Sequence, residues 1–276
     1  MTSGTMRKSD PGTENWLSQL SSCVEAIGTE EFPRRLLNSL SEFTDFDFMV
    51  AFAYYRSEIP VCLYHTFDTS EHLIFVDDYL KGPYLLDPFF KACERKVDAG
   101  IYRLRDIAPD RFYQSEYYRS YYVQTGLSEE ICYTLYLDDV AIVISLMRAG
   151  DRPRFPVKDF RLLERVAPLV ESLCRRHWYN VSNRFSDAPI EIGIDRNSAF
   201  IEKAVANLFG SRITPRESQV ITGVLEGHSS ESIANDLGIS VGTVRIHRRN
   251  VYAKLHISSQ QELFAIFFQA IKNVRG

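Results

Sequence analysis

Two arginines near the carboxyl end, Arg245 and Arg249, are four residues apart and would lie on the same side of a helix. No Asp or Glu occurs between Ser240 and Leu255, so that side would be cationic throughout. A guanidinium group can donate two parallel hydrogen bonds to O6 and N7 of guanine in the DNA major groove. Reading of base edges is therefore the chemistry that this pattern favours. A solvated charged face is the alternative, but such faces usually mix in acidic residues.

The residues that precede 241–255 carry the start and stop signals of two further helices. A capping box at 214–217, with proline at its second position, predicts a helix over about 215–226. A second, shorter helix would follow and end at a left-handed glycine before the helix over 241–255 begins. The residues expected to begin or end these helices are Thr214, Gly227, Ser229 or Ser230, Gly238 and Ser240. A short helix, a glycine turn and a longer helix form a helix-turn-helix unit.

This segment resembles the DNA-binding domain of the LuxR family of transcription regulators. The residues that carry the resemblance are Ile213 to Glu217, Gly227, Ile233, Ala234, Leu237, Ile239, Ser240, Thr243, Val244, His247, Lys254 and Leu255. The resemblance implies an all-α domain of four helices, whose third helix enters the major groove and whose fourth commonly dimerises. His256 stands where the family often has glycine, and 258–260 lack a frequent basic residue.

The resemblance also implies a set of DNA-binding residues. It places Arg245 and Arg249 at base-reading positions, and Thr243, His247 and Lys254 near the phosphate backbone. The full predicted set is Ser230, Thr243, Arg245, Ile246, His247, Arg248, Arg249 and Lys254. We expect three partners: double-stranded DNA, a second copy of the chain, and RNA polymerase. Because a two-fold dimer imposes its symmetry on the DNA, we expect a palindromic operator.

The last predicted helix, from Ser259 to Lys272, opens with another capping box at 259–262. Its apolar residues are more numerous than one core-facing stripe requires. The surplus is explained equally well by a symmetric dimer contact and by packing against the rest of the chain.

Composition and net charge indicate the general class of protein. The chain has 276 residues, of which 45% are hydrophobic and 25% charged, as in a globular protein with two domains. Its net charge of −4 conceals an asymmetry, because Ser211 to Gly276 holds eight Lys or Arg against five Asp or Glu. No apolar run is long enough for a membrane span, and Met1 to Pro11 lacks the apolar core of a secretory signal. We therefore expect a cytoplasmic protein with a basic DNA-binding end.

Neither a metal site nor a catalytic site is predicted. The five cysteines are scattered and never form a C-x-x-C pair, which favours reduced thiols over zinc ligation or disulfides. The sequence contains no nucleophile elbow, phosphate-binding glycine loop or H-E-x-x-H motif. We expect no cofactor, and we expect that the chain is not an enzyme.

The larger first part alternates helical and strand patterns that predict an α+β fold. The expected helices cover 16–27, 32–43, a mixed helical stretch at 71–96, a tyrosine-rich helix at 110–124, and 157–179; the expected strands cover 46–54, 61–67, 130–137 and 140–148. Strands that follow one another in hairpins indicate an antiparallel sheet with helices packed on it, as in PAS-like and GAF-like sensors. We predict a sensor domain at 12–181, a linker at 182–197 and the DNA-binding domain at 198–276, beginning with a short helix at 199–209.

The first domain is predicted to sense a signal. A phosphorylated receiver is disfavoured, because it would need alternating strands and helices around a parallel sheet. The run Tyr84 to Pro88, with Tyr79 and Phe75 before it, resembles the acyl-homoserine-lactone-binding domain of quorum sensors, although Phe75 stands where that family has tryptophan. The candidate ligand-binding residues are Tyr64, Phe75, Tyr79, Asp87 and Tyr102. The six tyrosines from Tyr102 to Tyr122 would line a pocket, a core or a dimer surface.

Two alternatives stay open. Asp87 before Pro88 is also an ordinary helix start, with aspartate as the cap. A small-molecule effector of the sensor domain is the favoured signal, and a protein partner with no small-molecule ligand is the alternative. An enzyme fused to a DNA-binding module is the less favoured third interpretation.

Overall fold

A five-stranded antiparallel sheet forms the centre of the first domain in the computed structural model, which describes residues 11–56, 58–185, 205 and 209–275. The strands are β1 (Phe48–Tyr55), β2 (Val61–His65), β3 (Gly100–Arg103), β4 (Leu127–Leu137) and β5 (Val140–Ala149). Their order across the sheet is β2-β1-β5-β4-β3. The predicted antiparallel sheet is confirmed, and β3 is added to it at the edge.

The hairpin of β4 and β5 is the longest pairing in this sheet. Leu137 pairs with Val140, so Asp138 and Asp139 form the two-residue turn that the sequence predicts. Asp138 has a φ of +51°, a conformation that aspartate tolerates better than most residues. The four residues of β3 pair with β4 from Gly100 to Arg103, a stretch too short to show the alternation that identifies a strand.

Both faces of the sheet are covered. Along β1, Met49 and its alternate neighbours pack under helices, while Val50 and its alternate neighbours face the other side, because successive strand residues point to opposite faces. The helices of this domain are α1 (Pro11–Glu25), α2 (Phe32–Ser41), α3 (Thr69–His72), α4 (Pro88–Glu94), α5 (Leu104–Ile107), α6 (Glu116–Ser120) and α7 (Val157–His177). Residues of α1, α2 and α7 form the core on the first face, and the short helices of 69–125 cover the second.

The single tyrosine-rich helix predicted for 110–124 is wrong. Two 3-10 turns, at Phe112–Gln114 and Tyr122–Thr125, flank the short α6 instead. Ser115 interrupts the segment because its hydroxyl caps α6, accepting a hydrogen bond from the amide of Tyr118 at 3.1 Å. The stretch at 71–96 is likewise divided: a π-helix at Leu73–Asp78 follows α3, and a 3-10 turn at Pro83–Leu86 precedes α4.

From residue 209 onward, the described part of the second domain contains four α-helices. They are α8 (Pro215–Glu226), α9 (Ser230–Leu237), α10 (Val241–Leu255) and α11 (Gln260–Arg275). The predicted caps are confirmed: Thr214 and Glu217 form the capping box, Ser229 caps α9, and Ser240 caps α10. The predicted linker at 182–197 and helix at 199–209 fall largely outside the described residues. Val181–Arg184 forms a 3-10 turn, and Phe185 is buried against the first domain.

The two domains are in direct contact. The ammonium group of Lys91 lies 2.9 Å from Glu226 Oε1, and the carboxylate of Asp110 accepts a 2.9 Å hydrogen bond from the amide of Ser229. Apolar residues on the second face of the sheet, which the short helices of 69–125 cover, and apolar residues of the second domain belong to one continuous buried cluster. Within the described residues, no helix combines the length and the apolar character needed to cross a bilayer.

Candidate DNA interface and sensor cavity

Helix α10 presents its cationic face to solvent. Arg245 and Arg249 are both exposed, and the side chain of Ile246 between them is 48% exposed. On the opposite side Val244 and Val251 are completely buried. One helix therefore divides cleanly into a core stripe and a free polar stripe.

The turn before α10 fixes the angle at which that face is held. Gly238 ends α9 with a φ of +63°, and Ser240 then caps α10 by accepting a hydrogen bond from the Thr243 amide at 3.0 Å. Helix α8 approaches α9 very closely at Gly223, where a Cβ atom would come within 2.8 Å of Ile233 Cγ1. These contacts set the three helices as one rigid unit.

The other predicted DNA-binding residues have more restricted surroundings. Arg248 is half-buried, with its guanidinium 5.6 Å from the centre of the Tyr252 ring. His247 is half-buried, and its buried Nδ1 has no hydrogen-bond partner among the described residues. Thr243 and Ser230 lie in the first turns of α10 and α9 and are half-buried.

Lys254 is already engaged within the domain. Its ammonium group lies 2.6 Å from Glu217 Oε2, while its side chain keeps 39% of its surface exposed. Burial alone would raise the pKa of Glu217, but the bonds from Lys254 and Thr214 outweigh it and hold that pKa below its ordinary value. Glu217 thus joins the start of α8 to the end of α10, and Lys254 has a structural role whatever else it binds.

A small cavity lies on the second face of the sheet, under the segment 69–125. Its volume is about 40 Å³, and Phe75, Tyr79 and Asp87 are among the residues that line it. Tyr79 donates a 2.6 Å hydrogen bond to Asp87 Oδ2, and the hydroxyls of Tyr79 and Tyr54 are 2.8 Å apart. Asp87 also accepts the Phe89 amide at 2.8 Å and caps α4. The helix-cap interpretation of Asp87 is confirmed, and its ligand contact stays a prediction for a residue that lines the cavity.

A second carboxyl group shares this cavity. Glu130 lies on β4, is 7% exposed, and interacts with Tyr122 at 3.4 Å. Burial, with the nearby charge of Asp87, raises the pKa of Glu130 to about 8. Burial also raises the pKa of Asp87 to about 6, against the lowering effect of its hydrogen bonds. Within the described part of the chain, no Lys or Arg lies within ion-pair distance of either carboxyl group.

Sequence reasoning missed several lining residues. Those not predicted as ligand-binding residues lie on or beside strands and are Val50, Phe52, Tyr54, Thr125, Leu127, Glu130, Ser145 and Met147. Period-two spacing was the available signal for the lining residues of β1 and β5, since residues of one strand face share one side of the sheet. Tyr117, Tyr121 and Tyr122 of the tyrosine-rich segment also line the cavity, and Tyr117 and Tyr122 belong to the buried core as well.

Two of the five candidate ligand-binding residues lie outside the cavity. Tyr64 pairs with Ala51 in the sheet and packs on the opposite face, against the cluster that includes α1, α2 and α7. Tyr102 lies on the edge strand β3, where its hydroxyl donates to the carbonyl of Asp98 at 2.8 Å. The structure thus brings together Phe75, Tyr79 and Asp87.

The segment 110–125 contacts the cavity and the second domain at once. Tyr117, Tyr121 and Tyr122 line the cavity. On its other side, Asp110 accepts a hydrogen bond from the Ser229 amide, and a Cβ atom at Gly227 would lie 3.1 Å from Ser115 Cβ. The floor of the cavity and the support of the helix-turn-helix unit are therefore the same piece of chain.

A capped short helix, a left-handed glycine and a longer helix with a free cationic face define a helix-turn-helix DNA-binding protein. Residues 211–267 match the family model described as "Bacterial regulatory proteins, luxR family". The chain is also 35% identical over 182 residues to "Putative HTH-type transcriptional regulator in exeN 3'region" of Aeromonas salmonicida, covering 66% of this chain and 92% of that protein. The chain therefore belongs to the LuxR family of transcription regulators, and it is not an enzyme.

Solved structures are also similar to this chain. The "VqsR LBD domain" from Pseudomonas aeruginosa is 26% identical, with a TM-score of 0.52, and the match covers 60% of this chain and 97% of that one. SdiA from Escherichia coli is 14% identical, with a TM-score of 0.45, over 95% of this chain and 98% of that one. The α+β fold with packed helices is confirmed by the strands and helices themselves and by the first of these similarities.

Proposed function

We propose that this regulator binds a palindromic operator as a dimer and that a small molecule in the first domain controls the binding. Control by a ligand is supported by one observation: the segment 110–125 contacts both the cavity and the second domain. Its residues Tyr117, Tyr121 and Tyr122 line the cavity, and the same segment contacts the end of α8 and the start of α9. A ligand that moves these rings changes the support of the DNA-binding helices. The protein acts in the cytoplasm, where bacterial DNA is accessible.

Base reading is assigned to Arg245 and Arg249, and backbone contact to Ser230, Thr243, His247, Arg248 and Lys254, with Ile246 exposed between the two base-reading arginines. The geometry supports this division, because Arg245 and Arg249 are exposed and four residues apart on a helix anchored by Val244 and Val251. Loss of one bidentate arginine contact costs about 1 to 3 kcal/mol of discrimination between bases.

The DNA assignment is tested by selecting an operator from random duplexes with the full-length protein. Arg245→Ala and Arg249→Ala should each change the preferred base at one position, whereas Lys254→Ala should weaken all sequences alike. Arg161→Ala, an exposed arginine of α7 on the far side of the sheet, is the matched control. Equal losses on every sequence for all three α10 variants would refute the base-reading roles. A selected site without two-fold symmetry would refute the dimer.

Control by a small molecule is tested by thermal melting of the full chain against a metabolite library. A compound that binds the folded form raises the melting temperature. The same compound should have a smaller effect on Tyr79→Phe, which lacks the hydroxyl that donates to Asp87. If no compound acts, and operator binding instead changes with a protein that binds the first domain, the partner-controlled alternative is correct.

A further inference from the structure

An open groove of about 650 Å³ lies where the first domain meets the base-reading helix. Three of its cationic residues, Arg245, Arg248 and Arg249, come from α10. The fourth, Arg111, belongs to the first domain. Four guanidinium groups from two separate domains therefore line one surface.

The backbone holds Arg111 in this place. Its amide donates a 3.1 Å hydrogen bond to the carbonyl of Gly227, the residue that ends α8. The neighbouring Asp110 accepts the Ser229 amide at the start of α9. Two hydrogen bonds, from the Arg111 amide and to the Asp110 carboxylate, therefore fix the Arg111 backbone to the helix-turn-helix unit.

The charge of Arg111 is not neutralised within the described residues. No carboxylate there lies within 4.0 Å of its side chain, nor of those of Arg245 and Arg249. The groove includes one acidic residue, Glu231, near the start of α9. Four arginines, three of them exposed, against one acidic residue among the described lining residues attract a polyanion.

We propose that Arg111 of the sensor domain binds a DNA phosphate beside the half-site read by α10. This inference rests on the proposed function, since it requires α10 to lie in the major groove. The contact carries no base information, because phosphate contacts fix position and register rather than sequence. It makes the first domain part of the DNA-binding surface and not only its regulator.

The test measures the affinity of the full-length protein for a 30-base-pair random-sequence duplex and for its selected operator, over a series of salt concentrations. Arg111→Ala should weaken both duplexes by the same factor. One lost phosphate contact makes the negative slope of log K against log salt less steep by about 0.9. The factor by which Arg111→Ala weakens binding should therefore shrink about 3.5-fold between 50 and 200 mM salt. Arg111→Lys keeps the charge and should restore the slope.

Two control variants separate the possible failures. Arg161→Ala removes the same charge from the far face of the first domain and should leave the slope unchanged. If Arg249→Ala loses base preference while Arg111→Ala keeps the wild-type slope on both duplexes, Arg111 does not bind phosphate and the inference alone is overturned. If Arg249→Ala also binds all sequences as the wild type does, the proposed function itself is wrong. The melting temperature of each variant verifies that it is folded.

Discussion

Replacing Lys91 with methionine should destabilise the contact between the two domains. Lys91 lies between two carboxylates, 2.5 Å from Glu94 of its own helix and 2.9 Å from Glu226 of the second domain. The three side chains are 13%, 10% and 15% exposed, so water screens them poorly. Burial alone would lower the pKa of Lys91, but the two carboxylates outweigh it and raise that pKa, which keeps the ammonium charged.

The magnitude follows from this geometry. Removing one partner of a buried ion pair costs about 3 to 5 kcal/mol, because the remaining charge stays buried without compensation. The residual exposure of the cluster places Lys91→Met near the lower limit, at about 3 kcal/mol. Lys81→Met is the matched control: Lys81 forms an ion pair with Asp78 at 2.7 Å, but its side chain is 58% exposed. An exposed pair contributes at most about 1 kcal/mol.

Urea unfolding followed by circular dichroism gives the free energies of unfolding. The loss in Lys91→Met should exceed that in Lys81→Met by about 2 kcal/mol. Adding Glu226→Gln should recover part of the loss, because one buried carboxylate is then removed. The loss should also shrink at pH 5, since burial raises the pKa of Glu94 and protonation removes its uncompensated charge. Equal losses in the two single variants would refute the reasoning.

Two further predictions concern the cavity and the interdomain contact. The raised pKa of Glu130 means that the folded state holds a proton that the unfolded state releases above pH 4.5, so the free energy of unfolding falls as pH rises towards about 8. In melting experiments at pH 5 to 8.5, Glu130→Gln should flatten this fall, which amounts to at most about 1.4 kcal/mol per pH unit. An unchanged dependence of stability on pH would contradict the assigned pKa. Gly227→Ala places a Cβ atom 3.1 Å from Ser115 Cβ and 3.3 Å from the Phe112 Cα atom at a φ of +93°, whereas the Cβ atom of Gly238→Ala, at a φ of +63°, meets nothing within 4 Å. Both substitutions incur a backbone cost of about 1 kcal/mol, and Gly227→Ala should lose more free energy of unfolding because its Cβ atom also meets the first domain. Equal losses would show that the domains do not meet there.

The sequence predicted the DNA-binding end well because its signals are local. Caps such as Thr214 and Ser240 act on amides two or three residues away, and Gly227 and Gly238 adopt the left-handed conformation that glycine favours. The sequence of α10 alone likewise indicated which face is buried and which is exposed, because Val244 and Val251 lie on one side of the helix and Arg245 and Arg249 on the other.

The cavity was harder to predict because it depends on strand register. Tyr64 and Val50 lie on opposite faces because Tyr64 pairs with Ala51, and a shift of one residue would exchange them. Glu130 carries no local mark of its burial, since its neighbours along β4 alternate between both covered faces. The predicted helix over 110–124 is interrupted partly by contacts with residues far away in the sequence, including the hydrogen bond from the Arg111 amide to the carbonyl of Gly227. The sequence of this segment alone does not reveal such contacts.

The size of the cavity constrains how a ligand would act. A volume of about 40 Å³ suffices for roughly one or two water molecules and is far below the several hundred Å³ of a usual ligand pocket. A larger ligand must therefore displace side chains of the cavity wall. On the strand side Val50, Phe52 and Glu130 are fixed in the paired sheet, whereas Tyr121 and Tyr122 lie on short turns. Tyr121 and Tyr122 belong to the segment 110–125, which has fewer backbone constraints than the strands and which contacts Gly227 and Ser229. Entry of a ligand would therefore move this segment and, with it, the DNA-binding helices.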